Sequence, residues 1–199
     1  MPKTGRATGI PNLLIYGPHA VGFQLLTLED PTRSFPSDDP AAPRSRPVRV
    51  YIWYPAEGAS GKAMKVGDFV RLAADDFRLT TKASSDARTE ANLPVPLAKG
   101  LDRPQTQALM KSPIKAILGA EAGPGTSPLL IVGQGLYYES PLSHIFLCEY
   151  LASRGYVVAT CPLLGTQHRL VNLNVEDLET AIRDLEFAAA VVERLTKKK

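Results

Sequence analysis

Apolar and polar positions alternate in two segments near the start of this 199-residue chain. Residues 20–29, AVGFQLLTLE, have this alternation, which predicts a first strand. Residues 48–54, VRVYIWY, alternate in the same way and end at Pro55, which predicts a second. The polar, proline-rich segment 30–47 between them is typical of a long hairpin loop, so we expect the two strands to pair in antiparallel fashion.

Residues 62–115 have a weaker pattern. The segment 66–74 has the spacing of a short helix, and 84–92 and 104–111 have the spacing of further helical turns. Several prolines divide the region into short pieces. We therefore expect a helical or irregular insertion that packs on the sheet.

The pattern is clearest in the second half of the chain. Residues 128–132 (PLLIV) and 156–160 (YVVAT) are continuously apolar, which is typical of strands buried on both faces of a parallel sheet. Residues 141–153 between them have helical spacing, and Gly155 follows as a stop signal. These segments predict a strand, a helix and a second strand in succession.

A last helix is predicted from its cap at Asn174 to about Thr196, with no proline to interrupt it. Together with the preceding elements it makes a βαβα unit, which requires parallel strands and right-handed crossovers. Its apolar residues recur at spacings of three and four, and we expect this stripe to face the core: Val175, Leu178, Ile182, Leu185, Ala189, Val192 and Leu195.

We predict a single, partial α/β domain over residues 1–199 with a mixed sheet. Its parts are an antiparallel strand pair at 20–55, the insertion at 62–115 and the βαβα unit at 127–196. The composition, 44% apolar and 22% charged residues, is ordinary for a globular protein. No run approaches the roughly 18–20 apolar residues that a membrane span needs.

The charge distribution does not indicate nucleic-acid binding. The net charge is +3, and it disappears when the three final lysines, residues 197–199, are set aside. A nucleic-acid interface would need lysine and arginine clustered on a folded face. The first residues lack the apolar segment of a secretory signal, so we expect a cytoplasmic protein.

The sequence predicts no metal and no cofactor. Two cysteines, Cys148 and Cys161, are too few for a disulfide framework or a zinc cluster, and we expect both to be buried. The carboxylate pairs at 38–39 and 75–76 lack metal-ligand partners at helical spacing and are expected to be solvated loop charges. Neither a complete GxGxxG fingerprint nor a GxxxxGK phosphate loop occurs.

The segment after residues 128–132 carries the candidate chemistry. Gly133, Gln134 and Gly135 follow a strand at the carboxyl edge of a parallel sheet, where ligands bind in α/β folds. Glycines permit backbone conformations that other residues rarely adopt, and backbone amides there can donate to a developing negative charge. The loop is either half of an oxyanion hole or a tight strand-to-helix turn without a ligand.

The histidines and Cys161 give weaker signals. His168 lies in a loop predicted at the same sheet edge, where it could line a pocket. His144 is expected to be a packed or solvated helix residue, and His19 to be structural. Cys161 also follows a strand at this edge, but the sequence shows no base to activate it as a nucleophile.

Four segments carry a family resemblance. Residues 47–55 resemble a "v-x-I-W-Y-P" strand, and 127–136 resemble a "P-l-l-i-f-x-H-G-L-G" segment. Residues 147–158 resemble "l-a-x-x-L-A-S-x-G-Y-V-V", and 184–187 resemble "D-l-x-F-v-l". Over about residues 20–195, the chain therefore resembles the N-terminal half of an α/β-hydrolase of the platelet-activating-factor acetylhydrolase and dienelactone-hydrolase-like branch.

The resemblance implies an ester hydrolase that acts on a small-molecule acyl ester. In that family a serine on a G-x-S-x-G turn attacks the acyl carbon, helped by a histidine and an acidic residue. By resemblance, the backbone N–H of Leu136 is one oxyanion donor. Gln134 replaces the usual histidine and Tyr137 the next glycine, and these two residues, Gly135 and His168 are candidates to line the pocket.

No G-x-S-x-G occurs in the sequence, and by resemblance the catalytic triad would lie beyond Lys199. We therefore expect an incomplete or degenerate family member without triad activity of its own. The alternative is a non-catalytic half-domain that binds a partner or self-associates. By resemblance, strand 128–132 would pair with 156–160 on one side and leave its other edge open.

Overall fold

A computed structural model describes residues 15–35, 44–78, 100–135, 140–166 and 171–197. The strands in these ranges are β1 (Ala20–Phe35), β2 (Arg44–Ala56), β3 (Lys62–Lys65), β4 (Pro113–Leu118), β5 (Leu129–Ile131) and β6 (Val157–Thr160). The helices are α1 (Val66–Arg78), α2 (Arg103–Lys111), α3 (Ile145–Ser153) and α4 (Val175–Thr196), and a 3-10 turn at Pro141–His144 precedes α3. The strands form one mixed sheet in the order β3-β4-β1-β2-β6-β5.

The predicted mixed α/β architecture is confirmed. β1 and β2 are antiparallel, β5 and β6 are parallel, and β5-α3-β6-α4 is the predicted βαβα unit. β6 is buried throughout, as its apolar run indicates. β5 is the last described strand of the sheet, and Ile131 is 36% exposed. Leu129 and Leu130 are only partly buried, so the expectation of a strand buried on both faces is wrong for β5.

The first strand pair is longer than predicted. β1 continues to Phe35 and pairs there with Arg44 of β2, past a bulge that begins at Asp30. The Asp30 carboxylate accepts from the Thr32 N–H at 2.9 Å and contacts Arg33 Nε at 2.6 Å. Because this side chain satisfies the irregular backbone locally, the strand can bend and continue. Residues 30–35 and 44–47 are thus sheet rather than hairpin loop.

The segment 62–115 differs from the expected insertion because it adds two strands to the sheet. β4 runs parallel to β1, and β3 runs antiparallel to β4. The predicted helices at 66–74 and 104–111 are present as α1 and α2, whereas 84–92 lies outside the described residues. β4 is hard to recognise because the residue that it buries, Ala116, is small and gives little apolar contrast.

Helices cover both faces of the sheet and create two apolar cores. Successive side chains of β2 enter the two cores alternately, because the side chains of a strand point to opposite faces. The core beneath α1 and α3 includes Phe23, Tyr51, Trp53, Phe69 and Ile145, and the core beneath α4 includes Val48, Val50, Ile52, Ala159 and Val192.

The bounds of α4 agree with the prediction, but the buried face does not. Asn174 Oδ1 caps the helix by accepting from the Asp177 N–H at 2.7 Å. Val175, Leu178 and Ile182 of the predicted core stripe are 67%, 39% and 56% exposed. The residues of α4 that are buried are Asp177, Ala181, Asp184, Ala188 and Val192. In this orientation Asp184 pairs with the buried Arg46, and Asp177 accepts from the backbone N–H groups of Thr166 and Asn172.

Candidate functional site

The carboxyl ends of β5 and β6 are joined by a hydrogen-bonded network at the edge where the candidate loop begins. The Val132 N–H donates to the Ala159 carbonyl at 2.9 Å, and the Thr160 hydroxyl donates to the Val132 carbonyl at 2.7 Å. The side-chain amide of Gln134 donates to Thr160 Oγ1 at 3.2 Å and to the Cys161 carbonyl at 2.5 Å. This network continues the pairing of β5 and β6 beyond the regular ladder.

Gln134 therefore anchors the loop. Both of its side-chain donors point into the protein, and its buried Oε1 has no hydrogen-bond partner among the described residues. This acceptor can receive a hydrogen bond from a donor group such as a hydroxyl. Gly135 follows at an exposed position, and Leu136 and Tyr137 lie outside the described residues.

Gly133 does not need the conformational freedom of glycine. Its φ lies outside the left-handed region, and a Cβ built on it would meet Leu185 Cδ1 at 3.7 Å, an ordinary van der Waals contact. The conformational freedom that a glycine permits is therefore not used at this position. The close packing of α4 on the end of β5 is the relevant feature of this position.

A buried ion-pair cluster lies beside the loop that follows β6. Arg46 makes a two-point contact with Asp184 of α4, at 2.8 Å from Nε to Oδ1 and 2.6 Å from Nη2 to Oδ2. Its guanidinium also donates to the carbonyls of Leu164 and Gly165, at 2.8 and 3.2 Å. Arg33 Nη2 lies 2.8 Å from Asp184 Oδ1. Arg46 thus links β2 to α4 and to the start of the loop. Asp184, in the segment 184–187, has a structural role because it binds Arg46.

Asp177 holds the other part of the same loop. Its carboxylate accepts from the backbone N–H of Thr166 at 2.6 Å and from that of Asn172 at 2.7 Å. Burial raises the pKa of this carboxyl, but the hydrogen bonds from Thr166 and Asn172 outweigh it and lower the pKa to about 2. Asp177 is therefore ionised at neutral pH. His168 lies between these two anchor points and outside the described residues.

A second buried arginine–aspartate pair occupies the opposite face of the sheet. Arg49 Nη1 lies 2.8 Å from Asp76 Oδ1, and the Tyr51 hydroxyl donates to Asp76 Oδ2 at 2.8 Å. Asp76 belongs to α1 and is buried, so the expectation of a solvated loop charge is wrong for this residue. Burial raises the pKa of Tyr51 well above its ordinary value, which keeps the phenol protonated and donating.

Both cysteines are buried, as predicted. Burial raises the pKa of the Cys148 thiol to about 12 and that of Cys161 further still. A protonated, inaccessible thiol is not a nucleophile, so Cys161 has no catalytic role in this geometry. The His144 side chain is half-buried in the 3-10 turn, whereas that of His19 is exposed.

Within the described ranges, no group of three or more histidine, cysteine, aspartate or glutamate side chains is arranged to hold a metal ion. No helix in these ranges is long and apolar enough to cross a membrane.

Sequence reasoning missed several residues that shape this edge. Asp177 and Asp184 are seven positions apart, which places them on one helix face, and this spacing is a signal of shared burial. Arg46 and Thr160 have no comparable local signal, since their partners are distant in sequence.

The chain is similar to solved structures that include an esterase. No protein-family model matches the chain, and no curated protein matches it. Among solved structures, a ferulic acid esterase from Streptomyces cinnamoneus matches 72% of this chain at 25% sequence identity and a TM-score of 0.42. The match covers 33% of the esterase, so this chain spans about one third of that structure's length.

Proposed function

We propose that this chain is part of an ester hydrolase of the platelet-activating-factor acetylhydrolase and dienelactone-hydrolase-like branch of the α/β-hydrolases. Its substrate class is a small-molecule acyl ester. The observation that carries the proposal is the pairing of β2 with β6 and of β6 with β5, which brings the loop after β5 to the carboxyl edge of the parallel pair. Ligands bind at this edge in open α/β sheets.

The chain contributes the oxyanion side of the site in this proposal. The backbone N–H of Leu136 donates to the ester carbonyl oxygen as negative charge develops on it, and such a donor stabilises the transition state by about 2.7–4 kcal/mol. Gln134 supports the loop through its bonds to Thr160 and to the Cys161 carbonyl. The sequence supplies no G-x-S-x-G nucleophile, so the chain does not complete serine-triad hydrolysis by itself.

Amide NMR with acetate as the probe tests the oxyanion role. Titration is expected to shift the Leu136 amide resonance in the wild type. Leu136→Ala keeps the backbone N–H and should still bind acetate, whereas Leu136→Pro lacks this N–H and should not. Binding in both variants is measured by the shift of the neighbouring Gly135 amide resonance. Equal responses of the Gly135 amide in these two variants would contradict the assignment.

Turnover of p-nitrophenyl acetate tests the missing nucleophile. The purified chain is expected to release p-nitrophenol no faster than the Leu136→Pro variant does. Faster release by the wild type would show that the chain carries a nucleophile of its own.

A second candidate function is self-association through the open edge of β5. Among the described strands β5 pairs only with β6, and an unpaired strand edge can add another strand. Ile131 on β5 is an exposed apolar side chain, and Leu178 and Ile182 are exposed on α4, the helix that packs on β5. We propose a second copy of the chain as the occupant, because an edge and a helix row can each pair with their own copies across a two-fold axis.

Light scattering tests this candidate. A reversible dimer is expected for the wild type, and Ile131→Lys should make it a monomer because the lysine charges the edge. Leu147→Lys is the matched control, since Leu147 is an exposed leucine on α3 and should leave the dimer intact. A wild-type chain that stays monomeric at high concentration would exclude this function.

A further inference from the structure

Glu149 lies where three parts of the fold meet, and its side chain is completely buried. It belongs to α3, and its Oε1 accepts from the Ala116 N–H of β4 at 2.7 Å. Its Oε2 accepts from the Tyr16 hydroxyl at 3.4 Å. Tyr16 is in the segment 15–19, which precedes β1 and is called the strap below. A single carboxyl group thus connects α3 with β4 and with the strap.

The strap packs on the end of α3 through its backbone. The Gly17 N–H donates to Ser153 Oγ at 2.8 Å, and the Arg154 guanidinium donates to the Ile15 carbonyl at 2.7 Å. A Cβ on Gly17 would lie 2.2 Å from the Ser153 carbonyl oxygen, so the contact leaves no space for a larger residue. The bond of Arg154 is exposed and that of Gly17 is partly buried, whereas Glu149 is completely buried.

Hydrogen bonds reach the Glu149 carboxyl group, but among the described residues it has no ion pair, in contrast to Asp76 and Asp184. The titratable groups that face it are Lys115 on β4, Tyr16 on the strap and Cys148 beside it on α3. Lys115 is exposed, and its ammonium lies over the Tyr16 ring, 5.6 Å from the centroid. Burial raises the pKa of Glu149 to about 7, against the lowering effect of the backbone N–H groups of Ala116 and Lys115.

We propose that Glu149 is a pH-sensitive latch that closes the strap and β4 onto α3 when it is protonated and loosens them when it is ionised. Complete burial without a counter-charge favours the neutral carboxyl group, whereas a carboxylate gains hydration when the strap lifts. The direction follows from linkage. The closed state binds the proton more tightly than the open state, so its advantage is complete below pH 4.5 and is lost as pH rises through about 7.

Hydrogen exchange at the Gly17 amide measures opening of the strap, since this N–H is bound to Ser153 and does not contact Glu149 directly. Between pH 5 and pH 8, the wild-type protection factor is expected to fall by about two orders of magnitude relative to the intrinsic rate. In Glu149→Gln, the protection factor of the Gly17 amide should be nearly constant over this pH range. Glu186→Gln, at an exposed glutamate of α4, is the matched control and should follow the wild type.

If the protection factor of Gly17 depends on pH in the same way in the wild type and in Glu149→Gln, the proposal is overturned. The wild-type chain supplies a second measurement in case the variant does not fold. The Glu149 carboxyl carbon should titrate near pH 7 by ¹³C NMR, and a midpoint near the ordinary value of 4.5 would also overturn it. Neither measurement depends on the ester-hydrolase proposal, because the latch and the loop after β5 use different residues.

Discussion

Two substitutions that are two positions apart on α4 are expected to differ strongly in their cost to stability. Asp184 is 1% exposed, and Asp184→Ala leaves Arg46 buried without its counter-charge, which costs about 3–5 kcal/mol. Ile182 is 56% exposed, so Ile182→Ala removes a side chain that is largely in water and should cost less than about 1 kcal/mol. A core isoleucine would instead cost about 2–5 kcal/mol.

Urea unfolding followed by far-UV circular dichroism measures both effects. Because the slope for small proteins is about 1–3 kcal/mol per molar urea, the midpoint for Asp184→Ala should fall by about 1 M or more. Glu186→Ala, at an exposed position of the same helix, is the control and should stay within about 0.5 kcal/mol of the wild type. If Asp184→Ala does not fold, Asp184→Asn preserves the shape and removes the charge.

The refuting result is a reversed order. If Ile182→Ala costs more free energy of unfolding than Asp184→Ala or Asp184→Asn, then α4 presents its apolar stripe to the core. The rotation of the helix described above would then be wrong, together with the link that it makes between Arg46 and the loop after β6.

Two further predictions concern the loops at the sheet edge. Asp177→Asn should lower the free energy of unfolding by about 2 kcal/mol at neutral pH. The lowered pKa of Asp177 stabilises the fold above pH 3.8, and this contribution is lost as pH falls through about 2. The urea midpoints of the variant and the wild type should therefore differ at pH 7 and converge at pH 2, and an equal difference at both pH values would contradict this reasoning. Gly133→Ala should fold, and its free energy of unfolding in the same assay should lie within about 1 kcal/mol of the wild-type value, because the added Cβ only contacts Leu185. A large loss of stability would indicate a backbone conformation that requires glycine.

Local signals predicted several elements well. The cap at Asn174 and the long stretch without proline place α4, and the continuous apolar run of β6 indicates a fully buried strand. These features depend on residues close in sequence, so they can be recognised without the rest of the fold. β4 lacked such a signal, because its place beside β1 depends on pairing between distant segments.

The candidate site was predictable in its position and less so in its chemistry. A glycine-rich loop after a parallel strand predicts the ligand edge of the sheet, and the structure places Gln134 there. The direction of the Gln134 amide depends on Thr160 and on the Cys161 carbonyl, which belong to another strand and its following loop. No periodicity in the loop itself encodes that orientation.

The sequence by itself determined the first strand pair and the order of the elements in the βαβα unit, because these have strong local patterns. Only the tertiary structure decided which face of α4 is buried and which buried carboxyl groups have a cation as partner. Asp184 meets Arg46 across 138 positions of the chain, whereas Glu149 is buried without an ion pair among the described residues. The physical reason is that the free energy of a buried charge depends on the partners that surround it, and those partners come together only when the chain has folded.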